Sequence, residues 1–161
     1  MLENRDEILK MDDAALSRLC ELEFFKGSGN GGQKRNKTSS AARVRLAGTP
    51  YVATDCTERS QHRNRAVALA KLRLAVACGE RRSPAEPPER PECSLEHPDY
   101  PLWLARLLDV AAEAGWEPKA AAAKLGCTPS AFVKKLARDP MLWQLAAAER
   151  ARLGLSPLHR P

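Results

Sequence analysis

Gly27-Ser28-Gly29-Asn30-Gly31-Gly32-Gln33-Lys34-Arg35-Asn36-Lys37-Thr38-Ser39-Ser40-Ala41-Ala42-Arg43 opens with a glycine-dense run that can hold no regular element, because glycine carries no side chain to pack and resists ordering. Regular patterns begin on either side of it. Cys20-Glu21-Leu22-Glu23-Phe24-Phe25 alternates loosely and predicts a strand. Asn36 to Ala42 predicts a helical turn. Arg43-Val44-Arg45-Leu46 and Tyr51-Val52-Ala53-Thr54 predict two short strands, with Gly48-Thr49-Pro50 as the turn between them. Glu58 to Ala77 holds neither Pro nor Gly, is rich in Ala, Leu and Arg, and predicts a long helix stopped by Gly79. Upstream, Asp12 to Leu19 predicts a short helix with Leu16 and Leu19 on one face. The expectation is a small α+β domain over residues 1–80.

Beyond it, Glu80 to Pro91 sets four prolines (Pro84, Pro87, Pro88, Pro91) among charged residues. That composition builds no core and predicts an extended linker, over residues 81–96. Residues 97–161 predict an all-helical C-terminal domain. Pro101 to Ala114 is amphipathic, with Leu104, Leu107, Leu108 and Ala111 at core spacing. Pro118 to Leu125 follows Gly115-Trp116. Pro129 to Ala137 follows a Gly126-Cys127-Thr128 break, with Thr128 as its cap, and Pro140 to Leu153 forms the last helix.

The 161 residues suffice for one ordinary domain or two small ones. No apolar run reaches the ~18 residues of a membrane span. The acidic start Met1-Leu2-Glu3-Asn4-Arg5-Asp6-Glu7 lacks the order of a signal peptide. Five scattered cysteines with no C-x-x-C pair argue against a disulfide framework or a structural zinc site, and fit a cytoplasmic protein. The formal charge is +6, and it is concentrated: residues 26–80 carry eleven basic and three acidic side chains. From Phe24 through Thr54 there is no acidic residue, whereas Lys26, Lys34, Arg35, Lys37, Arg43 and Arg45 are basic. A plain solvated loop has no need of such bias; a loop entering a phosphate-lined RNA cavity does. Gly27-x-Gly29-x-x-Gly32 also matches a dinucleotide fingerprint, but the next strand follows too soon for a crossover helix. Gly32-Gln33-Lys34 likewise lacks the Gly-Lys-Ser/Thr of a phosphate-binding P-loop.

Gly27-Ser28-Gly29-Asn30-Gly31-Gly32-Gln33-x-x-Asn36-Lys37-Thr38-x-Ser40-Ala41 resembles the Gly-Gly-Gln signature of class I peptide-chain release factors and their ribosome-rescue relatives. Glu58-Arg59-Ser60-Gln61-His62-x-Asn64-x-x-x-Ala68-Leu69 resembles the helix start that follows in the same family. The resemblance covers residues 20–78. It implies metal-free, cofactor-free hydrolysis of the ester joining peptide to tRNA, with Gly31, Gly32 and Gln33 as catalytic residues. The Gln33 backbone N–H would donate to the developing oxyanion and its side chain would bound the water pocket. Gly31 and Gly32, lacking Cβ, would let the backbone approach the ribose. The partners so implied are peptidyl-tRNA and the large-subunit RNA of the ribosome at its peptidyl-transferase centre. Lys26, Lys34, Arg35, Lys37, Arg43, Arg59 and Arg63 are the candidate RNA contacts in this half, with Arg59 and Arg63 on one helix face. His62 has no second His or Cys at metal spacing and reads as a structural hydrogen-bonding residue. Lys34-Arg35 departs from the His-Val common in stop-codon-reading members.

About 20 residues before the first strand leave no room for codon-reading domains, so the expectation is a monomeric, codon-independent hydrolase acting on stalled ribosomes. The C-terminus lacks the basic tail of one rescue family. Ala120 to Val133 instead resembles a helix-turn-helix, with Lys134, Lys135 and Arg138 making its second helix basic. Lys134 and Lys135 are its candidate RNA contacts. The competing readings are a bundle that merely packs around Trp103, Trp116 and Trp143, a nucleic-acid-binding regulator, and a ribosome-binding accessory protein without turnover.

Overall fold

A computed structural model describes residues 4–26 and 40–161. They fall into two compact units, Asn4–Val76 and Ala77–Pro161. No described helix is long and apolar enough to cross a membrane.

The first unit is α+β. It opens with α1 (Arg5–Lys10) and α2 (Asp13–Arg18), the latter capped by Asp12, whose carboxylate accepts from the Ala15 N–H at 2.7 Å. α1 was not anticipated, because only Ile8 and Leu9 give it an apolar face. Strands β1 (Cys20–Phe25), β2 (Ala41–Leu46) and β3 (Val52–Asp55) form one antiparallel sheet in the order β1-β2-β3. Ala41 and Ala42 are strand rather than helical turn; the rest of that expected turn, 36–39, lies outside the described residues. The reason is pairing: Ala42 faces Phe24 and Asp55 across the sheet, and both alanines are fully buried. Gly48, at φ +70°, turns β2 into β3, and the Thr49 hydroxyl closes the turn by donating to Leu46 O at 2.8 Å.

α3 (Gln61–Gly79) follows. Asn64, Ala68, Leu72 and Val76, each four residues apart, are all buried on it, with Leu69 beside them. The helix begins three residues later than Glu58, so Arg59 precedes it and shares no helix face with Arg63. Arg73 donates to Asp13 Oδ1 and Met11 O, each at 2.7 Å, and Arg65 to Ser17 Oγ at 2.8 Å, tying α2 to α3.

The second unit is helical: α4 (Tyr100–Glu113), α5 (Pro118–Lys124), α6 (Pro129–Ala137) and α7 (Pro140–Arg152). Leu104, Leu107, Leu108 and Ala111 are fully buried, as their spacing requires. Trp103 and Trp116 join the core, whereas Trp143 is half-exposed. Asp139 serves two elements. One carboxylate oxygen caps α7 at Met141 N, and the other accepts from the Tyr100 hydroxyl, both at 2.8 Å.

The Pro-rich stretch has no helix or strand, yet it is fastened along the helices of this unit. Proline removes an amide donor but leaves the carbonyls able to accept. Arg90 O accepts from Trp103 Nε1 at 3.0 Å, and Pro91 O accepts from Lys135 Nζ. Arg106 pairs with Glu86 and Glu89, each at 3.3 Å, while Glu92 reaches Lys135 and Arg138.

Candidate functional site

The Gly31-Gly32-Gln33 sequence and its neighbours Lys34, Arg35 and Lys37 lie outside the described residues, so the site is built here from the ground that carries them. That ground is the end of β1 and the start of β2. Phe25 and Ala41 are cross-strand partners, so the chain leaves and re-enters the sheet at adjacent positions. Lys26, just past β1, is exposed, whereas Ser40, just before β2, is buried.

Two interactions brace this exit. On the outer face of the sheet, Arg43 lies 4.9 Å over the Phe25 ring and donates to Glu23 Oε2 at 3.0 Å. Arg45 makes a looser pair with Glu21 at 4.0 Å. Cross-strand register produces both pairs, since Glu23 faces Arg43 and Glu21 faces Arg45. Arg43, expected as an RNA contact, is therefore half-exposed but already engaged. On the other side, Asn64 is fully buried at the start of α3. Its Nδ2 donates to Ser40 O at 2.6 Å and to Glu58 O at 2.9 Å, and its Oδ1 accepts from the Glu58 N–H at 2.8 Å.

The remaining predicted cations divide by environment. Arg59 is exposed, and Arg63 is exposed with a 3.8 Å approach to Glu58. His62 is exposed on the first turn of α3, not enclosed in a structural network. In the helical unit Lys134 is exposed, but Lys135 is turned inward onto Pro91 O and Glu92. The two lysines, expected together as RNA contacts, differ because neighbouring positions on a helix point about 100° apart.

Charge separates the units sharply. Residues 4–76 hold fourteen Lys and Arg against eight Asp and Glu, whereas residues 77–161 hold twelve against eleven. The positive field belongs to the sheet-bearing unit, where the glycine-rich segment is rooted. Among the described residues no group of His, Cys, Asp and Glu is placed to hold a metal ion. Asn64, which ties Ser40 to Glu58, was not among the expected site residues. Its signal was present in the sequence, as a carboxamide set at the four-residue spacing of an otherwise apolar face.

The three-stranded antiparallel sheet, the long helix that follows it and the basic glycine-rich segment joining its first two strands fit a class I release-factor domain. The model of the RF-1 domain matches residues 13–96, just over half of the chain, and the protein belongs to that family. Peptide chain release factor 1 of Xylella fastidiosa (strain 9a5c) is 43% identical over 61 residues, 38% of this chain and 17% of that protein. Peptide chain release factor 1 of Acidiphilium cryptum (strain JF-5) is 46% identical over 55 residues, 34% of this chain and 16% of that protein. The chain thus aligns with less than a fifth of either relative's length. No solved structure matches it.

Proposed function

We propose that the protein hydrolyses the ester of peptidyl-tRNA on stalled ribosomes without reading a codon. The observation that carries this reading is the Gly31-Gly32-Gln33 sequence, set in an acid-free basic stretch between paired strands of an RF-1 domain. In the proposed chemistry the Gln33 backbone N–H stabilises the oxyanion formed as water attacks the ester carbonyl. The Gln33 side chain limits the pocket to water, and Gly31 and Gly32 permit close approach to the ribose. Lys26, Lys34, Arg35, Lys37, Arg59 and Arg63 supply phosphate contacts to large-subunit RNA and the tRNA acceptor end, without sequence selectivity. No cofactor takes part. The proposed setting is the peptidyl-transferase centre of a cytoplasmic ribosome, entered by a monomer.

The same proposal assigns the helical unit, with its α5–α6 helix-turn-helix, a docking role in which Lys134 is the outward cation and Lys135 holds the Pro-rich stretch. The near balance of charge in that unit supports an auxiliary contact over a self-sufficient nucleic-acid-binding regulator.

The test is release of labelled peptide from ribosomes halted on message without a stop codon. Wild type should release peptide. Gly32→Ala should lower the rate about 10²–10³-fold by displacing the Gln33 N–H donor. Gln33→Ala, which keeps that N–H, should lower release through loss of the side chain that bounds the water pocket. Ribosome binding without release would favour the accessory reading, and release only when a stop codon is present would overturn codon independence.

A further inference from the structure

We propose that Asn64 is a positioning residue for the release reaction, acting through the carbonyl of Ser40; this rests on the function proposed above. Ser40 is the last residue before β2, and Ala41 is the cross-strand partner of Phe25. The direction of the Ser40 peptide therefore sets how the chain that carries Gly31-Gly32-Gln33 rejoins the sheet. On the β1 side the exit is braced by Arg43 over Phe25. On the β2 side it is braced by Asn64.

The chemistry of the contact requires a carboxamide. Two backbone carbonyls, Ser40 O and Glu58 O, face Nδ2, and one backbone N–H, from Glu58, faces Oδ1. Only a group with two donors and an acceptor satisfies all three. A carboxylate would set a negative oxygen against two carbonyl oxygens. An apolar isostere would leave three polar groups without this partner, the Ser40 carbonyl in a buried setting and the two Glu58 groups in a partly buried one. The residue also spans three separate pieces of chain: the start of β2, the connection after β3 and the first turn of α3. Capping α3 does not account for it, since Ser60 already accepts there, through its carbonyl from the Asn64 N–H at 3.0 Å and through Oγ from the Arg63 N–H at 3.4 Å. The 2.6 Å reach to Ser40, 24 residues away, is the part of the arrangement that the helix itself does not need.

Misplacing a reacting group by about 1 Å can cost about 10²-fold in rate even when the mutation is remote from the chemistry. The experiment is steady-state peptide release from stalled ribosomes by wild type, Asn64→Asp and Asn64→Ser, with unfolding midpoints measured alongside. The expected result is a fall in kcat of about 10²-fold with KM unchanged, in variants still folded at the assay temperature. Serine keeps a single donor, so Asn64→Ser should lose less than Asn64→Asp. A rise in KM at unchanged kcat, or wild-type kcat in both variants, overturns the inference and leaves the proposed function standing. Failure of both variants to fold also overturns it, because Asn64 would then hold the fold and nothing more. A wild-type protein that releases no peptide overturns both.

Discussion

Lys71 Nζ lies 2.7 Å from Asp55 Oδ1, joining the last residue of β3 to the middle of α3 through a carboxylate that is almost fully shielded and an ammonium that is half exposed. Thr57 completes the site by donating its backbone N–H at 3.2 Å and its hydroxyl at 2.8 Å to Asp55 Oδ2. Burial alone would raise the Asp55 pKa, but hydrogen bonds from Lys71 and Thr57 and the Lys71 charge outweigh it and hold the carboxyl below its ordinary value.

A group with a depressed folded pKa adds stability that is present above the unfolded value of about 3.9 and is lost as pH falls through the folded value. The unit should therefore weaken as pH drops below about 4. Asp55→Asn should cost about 1.5–3 kcal/mol at pH 7, the range for hydrogen bonds to charged groups, and should flatten the acid dependence. Denaturant midpoints at pH 7 and pH 3 check both statements, and an equally steep acid loss in the variant would contradict them.

Gly126 offers a test of backbone conformation without a steric confound. It sits at φ +63°, and a Cβ built there meets nothing within 4 Å. Its turn closes α5 in the Schellman manner, with Cys127 N donating to Ala122 O at 3.0 Å and Gly126 N to Ala123 O at 3.4 Å. Gly126→Ala should cost about 1–2 kcal/mol through the left-handed backbone alone. Thermal unfolding of the two proteins measures it, and no change in midpoint would mean that the turn relaxes freely.

Lys134 and Lys135 should respond oppositely. Lys135→Ala removes the donor to Pro91 O and the partner of Glu92, and should cost about 1–3 kcal/mol. Lys134→Ala, at an exposed position, should stay within about 0.5 kcal/mol of wild type. Lys134→Glu should weaken ribosome association without loss of folding if α6 docks on RNA. Pelleting with ribosomes and a melting curve read the two effects separately.

Cys78, near the end of α3, faces Met141 Sδ at 4.0 Å. Burial pushes its thiol up to about 11, with Arg81 drawing it down and Asp139 pushing it further up. Relative to an ordinary thiol, near 9.0, that makes its thiolate about a hundredfold scarcer at pH 8. Iodoacetamide should therefore alkylate Cys78 about a hundredfold more slowly than an ordinary thiol, as peptide mapping over time would show. Rapid labelling of Cys78 would mean that the thiol is not held as the structure places it.

Local pattern made much of this protein legible. The alternation in Cys20–Phe25, the Pro- and Gly-free run before Gly79 and the Thr128-Pro129 cap each encode their element through near-neighbour physics. Glycine spacing and one-sided charge likewise singled out residues 26–45 before any fold was known. The family resemblance carried by Gly31-Gly32-Gln33 agrees with the RF-1 domain match.

The start of β2 at Ala41, the late start of α3 and the fate of each cation were not legible, because their partners are distant in sequence. Glu23 engages Arg43 across 20 residues, Asn64 engages Ser40 across 24, and Lys135 engages Pro91 across 44. Composition states that a basic side chain exists. Only the fold decides whether its charge is spent inside, as at Lys135, or left facing solvent, as at Lys134, because burial brings together groups that no local periodicity relates.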